Sequence, residues 1–197
     1  MAKVDPDIED VRAISRGDRQ AARRLIDAHG DRLMAVAYRI LHDRGAAEDI
    51  VQEAFIRMWK HAKNWQQENA LFSTWLHRVT INLCYDRLRK ASTRYEHAAG
   101  DDLPDRADAT PDASQVMSRG QEASALRAAI ERLPERQRTA IVLCHFEEMS
   151  NAEAAEILEV SVSALESLLA RARRSLKADL QLRQDLSDEV EDASCAV

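Results

Sequence analysis

Between Glu96 and Met117 the chain runs through HAAGDDLPDRADATPDAS, a stretch rich in Asp, Ala and Pro with almost no large apolar side chain. Such a segment cannot bury enough surface to offset its ordering entropy, so it reads as a flexible linker between two separate blocks. The first block, from about Arg12 to Tyr95, carries eight of the nine aromatic residues, and only Phe146 remains for the second, from about Gln121 to Arg183. An acidic tail, 184–197, closes the sequence. A length of 197 residues suits one large or two small domains, and 45% apolar content is enough for real cores. Hydrophobic spacings of three and four residues dominate over strict alternation, and five glycines and four prolines are few for a β-rich fold. The expected fold is all-α: two helical domains, 12–95 and 121–183, joined by an acidic linker over 96–120.

The net charge of −6 argues against a nucleic-acid binder only until it is divided along the chain. Residues 96–116 hold six acids against one arginine, and residues 184–197 hold five acids and no base. The rest of the chain is mildly basic, so the acidity sits in the two segments that look unstructured. The amino terminus carries Asp5, Asp7, Glu9 and Asp10 where a signal peptide needs a cationic and then apolar start. The longest apolar run, near Thr139–Phe146, is too short to cross a bilayer. Cys84, Cys144 and Cys195 are odd in number and widely spaced, against both a disulfide framework and a zinc knuckle. A soluble protein of the reducing cytoplasm is expected.

In the first block the periodicity predicts a helix over Arg19–Leu41, with Gly30 as a point of interruption, and Ala22, Leu25, Ile26, Leu33, Val36, Ala37 and Ile40 as its buried side. A second helix spans about Ala46–Lys63 and buries Ile50, Val51, Ala54, Phe55, Met58 and Trp59. A loop at Asn64–Asn69 leads to a long helix, Leu71–Lys90, with Phe72, Trp75, Leu76, Val79 and Leu83 inward. In the second block a helix is cut at Pro134, another covers Glu135–Phe146, and Ser150 with Glu153 forms a capping box that opens a third. After Glu159–Val160 a turn leads to a fourth helix, opened by Ser161 or Ser163, with Ser163 and Glu166 as a second candidate capping box.

Residues 150–177 pair two helices across a tight turn, the pattern of a helix-turn-helix. Their common apolar face is Ala154, Ala155, Ile157, Leu158, Val162, Leu165, Leu168 or Leu169, Ala172 and Leu176. Ser161, Ser163 and Ser167 are hydroxyls that can reach base edges, and Arg171, Arg173, Arg174 and Lys177 suit phosphates. An ordinary helical hairpin with a solvated basic end fits the same residues. Opposite the apolar stripe of the long helix, Arg78, Asn82, Tyr85 or Asp86, and Arg89 form one ridge: Asn82 offers donors and acceptors to a base, and the arginines can meet phosphates. Asn64 and Trp65 in the adjoining loop belong with this set. Aromatic side chains there can stack on unpaired bases, but Phe72 and Trp75 fall on the core stripe. Asp49, Glu53 and Arg57 stand four apart with Gln52 and Ile56 beside them, which reads either as a solvated face with one Glu53–Arg57 pair or as a docking surface.

Enzyme constellations are missing from the sequence. The glycines at 17, 30, 45, 100 and 120 are isolated, so no phosphate loop forms. No His has Glu three residues before it, as a di-iron bundle requires. No zinc-protease helix or nucleophile elbow occurs. No metal or cofactor is expected, and any opening of DNA would have to be driven by binding energy.

These stretches, in this order, resemble the extracytoplasmic-function group of bacterial sigma factors. DIVQEAFIRMW at Asp49–Trp59 looks like the polymerase-docking helix, and FSTWLHRVTINLCYDRLR at Phe72–Arg89 looks like the segment that reads and melts the promoter −10 element. Leu133–Lys177 looks like the −35 reading domain. The resemblance implies that Asp49, Gln52, Glu53 and Arg57 contact the β′ clamp helices of core RNA polymerase. It implies that Asn82 and Asp86 shape or touch the −10 element while residues 64–69 hold a flipped base. It places the second domain on the β flap, its recognition helix on the −35 element, the linker along the RNA exit path, and an anti-sigma partner around both domains. The sequence departs from the commonest pattern at Leu165-Glu166-Ser167-Leu168, where many relatives have Val-Lys-Ser-Arg. Two cations are lost there, and Glu166 either accepts from a cytosine amino group or caps its helix. The competing readings are a free-standing helix-turn-helix regulator, which leaves the 49–59 face unexplained, and a helical adaptor that binds only proteins.

Overall fold

A computed structural model describes residues 5–65, 71–98 and 119–195, and among them every regular element is helical. Most of the expected linker, 99–118, lies outside the described residues. Helix α1 (Ile8–Ser15) buries Val11 and Ile14. Gly17, at φ 90°, turns the chain through a conformation that other residues resist, and α2 (Arg19–Leu41) follows without a break at Gly30. Asp18 caps α2 by accepting from the amides of Gln20 and Ala21. The buried side of α2 runs through Leu25, Leu33, Val36 and Ile40 as the spacing predicts, whereas Ile26 is exposed.

Asp43 caps α3 (Arg44–His61), and a short 3₁₀ turn, Ala62–Asn64, completes it. Here Ile50, Ala54 and Met58 are buried, but Trp59 reaches solvent. Helix α4 (Phe72–Ala98) is longer than its predicted stripe required and buries a wider arc. Phe72, Leu76 and Leu83 are inside, and so are His77, Thr80, Ile81 and Cys84. The reason is that α4 is covered twice, by α2 and α3 on one side and by the second unit on another.

The second unit comprises α5 (Arg119–Glu131), α6 (Glu135–Ile141), α7 (Asn151–Leu158) and α8 (Val162–Cys195). Pro134 separates α5 from α6 as expected. The helix expected over 135–146 is not uniform. From Val142 to Phe146 it loosens into a π-helical turn, and the amide of Glu147 reaches back five residues to the carbonyl of Val142 at 3.0 Å. The expected acidic tail also differs, since α8 runs through to Cys195. Acidity does not stop a helix when neither Gly nor Pro occurs between Ala178 and Cys195.

The two units close on each other, and buried apolar residues from Val11 to Ala172 form one contiguous cluster. Arg32 binds Glu147 twice, through Nε to Oε2 at 2.8 Å and through Nη2 to the backbone carbonyl at 2.6 Å. Arg39 donates to the other carboxylate oxygen at 3.3 Å and lies over the Phe146 ring, 4.8 Å from its centre. Arg138 donates to the carbonyl of Ile40 at 2.6 Å, and so closes the carboxyl end of α2.

Candidate nucleic-acid interface

The turn between α7 and α8 is built by local chemistry. Ser150 accepts from the amide of Glu153, whose side chain returns to the Ser150 amide, so the predicted capping box is present. Glu159 adopts a left-handed conformation, φ 53°, and ends α7, and the amide of Val160 bonds to Ala155 at 3.0 Å. Ser161 opens α8 by accepting from the amide of Ala164 at 3.1 Å. Because α8 begins at Val162, Ser163 lies inside the helix, and the expected second capping box between Ser163 and Glu166 is not formed. Glu166 is instead an exposed acid on the first turns of α8.

Leu165, Leu169 and Ala172 are buried, and Leu168 and Leu176 half-buried, but Val162 is exposed rather than part of the apolar face. The opposite face presents Ser161, Ser163, Ser167, Arg171, Arg173, Arg174 and Lys177 to solvent. All three hydroxyls have local partners: Ser161 and Ser163 lie 3.0 Å apart, and Ser167 donates to the carbonyl of Ser163 at 2.9 Å. Each retains acceptor capacity toward a base.

On α4 the ridge is formed as the spacing predicts. Asn82 and Arg89 are exposed, Arg78 and Asp86 half-buried, and Asp86 pairs with Arg89. This ridge faces the second unit across a cleft of about 630 Å³ whose walls include Asn82, Tyr85, Asp86 and Arg89 on one side and Arg136, Ile157 and Glu159 on the other. Arg78 Nη1 and Glu159 Oε1 join the two sides at 2.9 Å. The cleft is far smaller than a segment of duplex, whose major groove alone is about 12 Å wide.

Asn64 is exposed at the end of the 3₁₀ turn. Trp65 packs edge-on to Phe72 and Trp75, at 5.3 and 5.7 Å between ring centres, and Trp75 stacks on His61 at 4.9 Å. These rings serve first as packing that locks the end of α3 to the start of α4. Residues 66–69 of the expected base-holding loop lie outside the described residues.

On α3, Gln52 and Ile56 are exposed, and Glu53 pairs with Arg57 at 2.9 Å. Asp49 is exposed and lies 3.7 Å from Arg87 of α4. Cys84 is buried, and burial pushes its thiol up to about 12, so it is a core side chain rather than a reactive group. Among the described residues no helix is long and apolar enough to cross a membrane. The residues that sequence reasoning missed are those of the closure, above all Glu147 and Arg32. An acid after an apolar run gives no hint of a partner 115 positions away.

Two family models match this chain, Sigma-70 region 2 over residues 25–94 and Sigma-70 region 4 over residues 123–176. The chain is 31% identical to the ECF RNA polymerase sigma factor SigW of Bacillus subtilis, with 87% of this chain and 95% of SigW covered. It is 33% identical to the RNA polymerase sigma factor NccH of Alcaligenes xylosoxydans xylosoxydans, covering 92% of this chain and 99% of that one. Among solved structures it is similar to CnrH in complex with the cytosolic domain of CnrY. That similarity has a TM-score of 0.66 at 25% identity and covers 90% of this chain and 99% of the other. The sigma factor RpoE of Bartonella quintana, in complex with the anti-sigma factor NepR, shares the fold at a TM-score of 0.64 and 21% identity, with 81% and 96% covered.

Proposed function

This chain belongs to the ECF sigma factors of bacterial RNA polymerase, and we propose how its surfaces divide the work of promoter-specific initiation. The observation that carries the reading is on α8. Its buried stripe of Leu165, Leu169 and Ala172 leaves the hydroxyls of its first turn and the cations of Arg171–Lys177 together on the solvent side. The first turn reads base edges of the −35 element in the major groove, and the basic end holds phosphates. The second unit rests on the β flap while it does so.

The α4 ridge of Arg78, Asn82, Asp86 and Arg89, with Asn64 and Trp65, shapes the −10 element as its strands separate. Binding energy supplies the unpairing, with no hydrolytic step and no cofactor. The α3 face of Asp49, Gln52, Glu53 and Arg57, centred on exposed Ile56, docks on the clamp helices of β′. A free-standing regulator has no use for this face or for the region 2 match over 25–94.

The closed arrangement sets a condition on this work. The ridge on α4 and the turn before α8 are joined by Arg78 and Glu159, so both reach a promoter only when the units part. An anti-sigma partner that holds both units in the cytoplasm fits the same logic. A cleft of about 500 Å³ between them, with Tyr38, Leu126 and Phe146 exposed on its walls, is a surface such a partner can fill.

The test is footprinting of the polymerase holoenzyme on a promoter selected from a random-sequence library. Replacing Arg171 and Arg174 with Ala should abolish protection of the −35 element while core polymerase is still bound. Unchanged −35 protection would overturn the reading.

A further inference from the structure

Helix α4 begins at Phe72 directly after Leu71, an apolar residue that has no side-chain acceptor for the first amides of the helix. The acceptor comes from a distant part of the chain. Asp5, 1% exposed, receives the amide of Phe72 on Oδ2 at 2.8 Å and the amide of Asp7 on Oδ1 at 3.0 Å. The segment is fastened again by Asp7, whose carboxylate lies 2.9 Å from His29 Nε2 of α2. A buried carboxylate at a helix amino terminus satisfies a donor that water cannot reach and meets the positive end of the helix dipole.

We infer that Asp5 is a positioning residue for melting of the −10 element, a role that rests on the −10 assignment of α4 made above. The chain of contacts is short. Asp5 fixes the backbone of Phe72, the Phe72 ring holds Trp65 edge-on, and Trp65 follows Asn64. The amino-terminal segment thus anchors the beginning of α4 and, through Phe72, the residues that lead from α3 towards it. This segment lies before residue 25, where the region 2 match starts. The α3 docking face makes no contact with Asp5 in this chain of bonds, which separates promoter melting from polymerase binding.

The experiment compares holoenzymes assembled from the full chain carrying Asp5→Ala, Asp5→Asn or Asn82→Ala, on a duplex promoter selected by the natural holoenzyme and on the same promoter with a mismatched −10 element. Asp5→Ala should slow open-complex formation on duplex about tenfold, the rate equivalent of losing a buried cap. On the mismatched template, and in affinity for core polymerase, it should stay within about twofold of the natural chain, because neither requires melting. Asp5→Asn keeps an acceptor oxygen for Phe72 and should recover most of the duplex rate. An Asp5→Ala chain that melts duplex normally, or that loses core affinity by the same factor, overturns the inference. If Asn82→Ala leaves −10 preference unchanged, the −10 assignment falls and the inference with it. If Asn82→Ala alone is impaired, only the role of Asp5 is lost.

Discussion

Arg78 of α4 donates to Glu159, 81 residues further along in the turn of the helix-turn-helix, at 2.9 Å. Both side chains are partly open to water, 35% and 65% exposed, so the pair contributes no more than about 1 kcal/mol. It marks the closure rather than holding it. The stronger contribution comes from Glu147, 7% exposed, between Arg32 and Arg39. A buried carboxylate with two guanidinium partners is costly to disturb, because removal of the acid leaves two cations facing each other.

Glu147→Lys should therefore open the molecule. A third cation beside Arg32 and Arg39 should weaken the contact between the units by about 3 kcal/mol. Fluorescent labels on α2 and α5 should move apart while the helical content of each unit is kept. Unchanged transfer efficiency would show that the closure does not depend on Glu147.

Ser150→Ala should lower the stability of the second unit by about 1 kcal/mol, since it removes the acceptor for the Glu153 amide and breaks the capping box. Denaturant unfolding followed by circular dichroism measures this. Ser163→Ala, at a position inside α8, should cost less, and equal losses would contradict the assignment of Ser161 as the cap of that helix.

His77 gives a pH dependence. It is 2% exposed, its Nδ1 bonds to the carbonyl of Ser73, and burial pulls its pKa below the ordinary histidine value. The neighbouring charges of Arg32, His29 and Glu147 also act on it, the first two lowering the pKa and the last raising it. A depressed pKa means the folded state favours the neutral ring. Its contribution is intact above the unfolded histidine pKa of about 6.5 and is lost as pH falls through the lower folded value. Unfolding free energy measured from pH 8 to 5 should fall more steeply below about 6.5 for the natural chain than for His77→Gln. Parallel curves would contradict this.

Local signals in the sequence carried most of the architecture. Ser-x-x-Glu at 150–153 marks a real capping box, Pro134 marks a real break, and the four-residue spacing of Arg78, Asn82 and Asp86 marks a real ridge. What the sequence hid depends on partners far away in the chain. Asp5 looks like one more acid near the amino terminus until Phe72, 67 residues on, is brought against it. Ile81 lies outside the predicted stripe of α4 because that stripe allows for one neighbour, whereas α7 supplies a second. The π-helical turn at Val142–Phe146 inserts a residue that no apolar period announces, and it precedes the carboxylate of Glu147 that closes the interface. Helix α1 escaped notice because eight residues with two buried apolar side chains give too short a period to read.

The most direct test is co-elution of the purified chain with bacterial core RNA polymerase, beside a variant carrying Asp49→Arg and Glu53→Arg. Both acids lie in exposed pairs, with Arg87 and Arg57, so the reversal should leave the fold intact. The natural chain should bind core stoichiometrically and the variant should not. A natural chain that fails to bind core while still shifting duplex DNA would contradict the account.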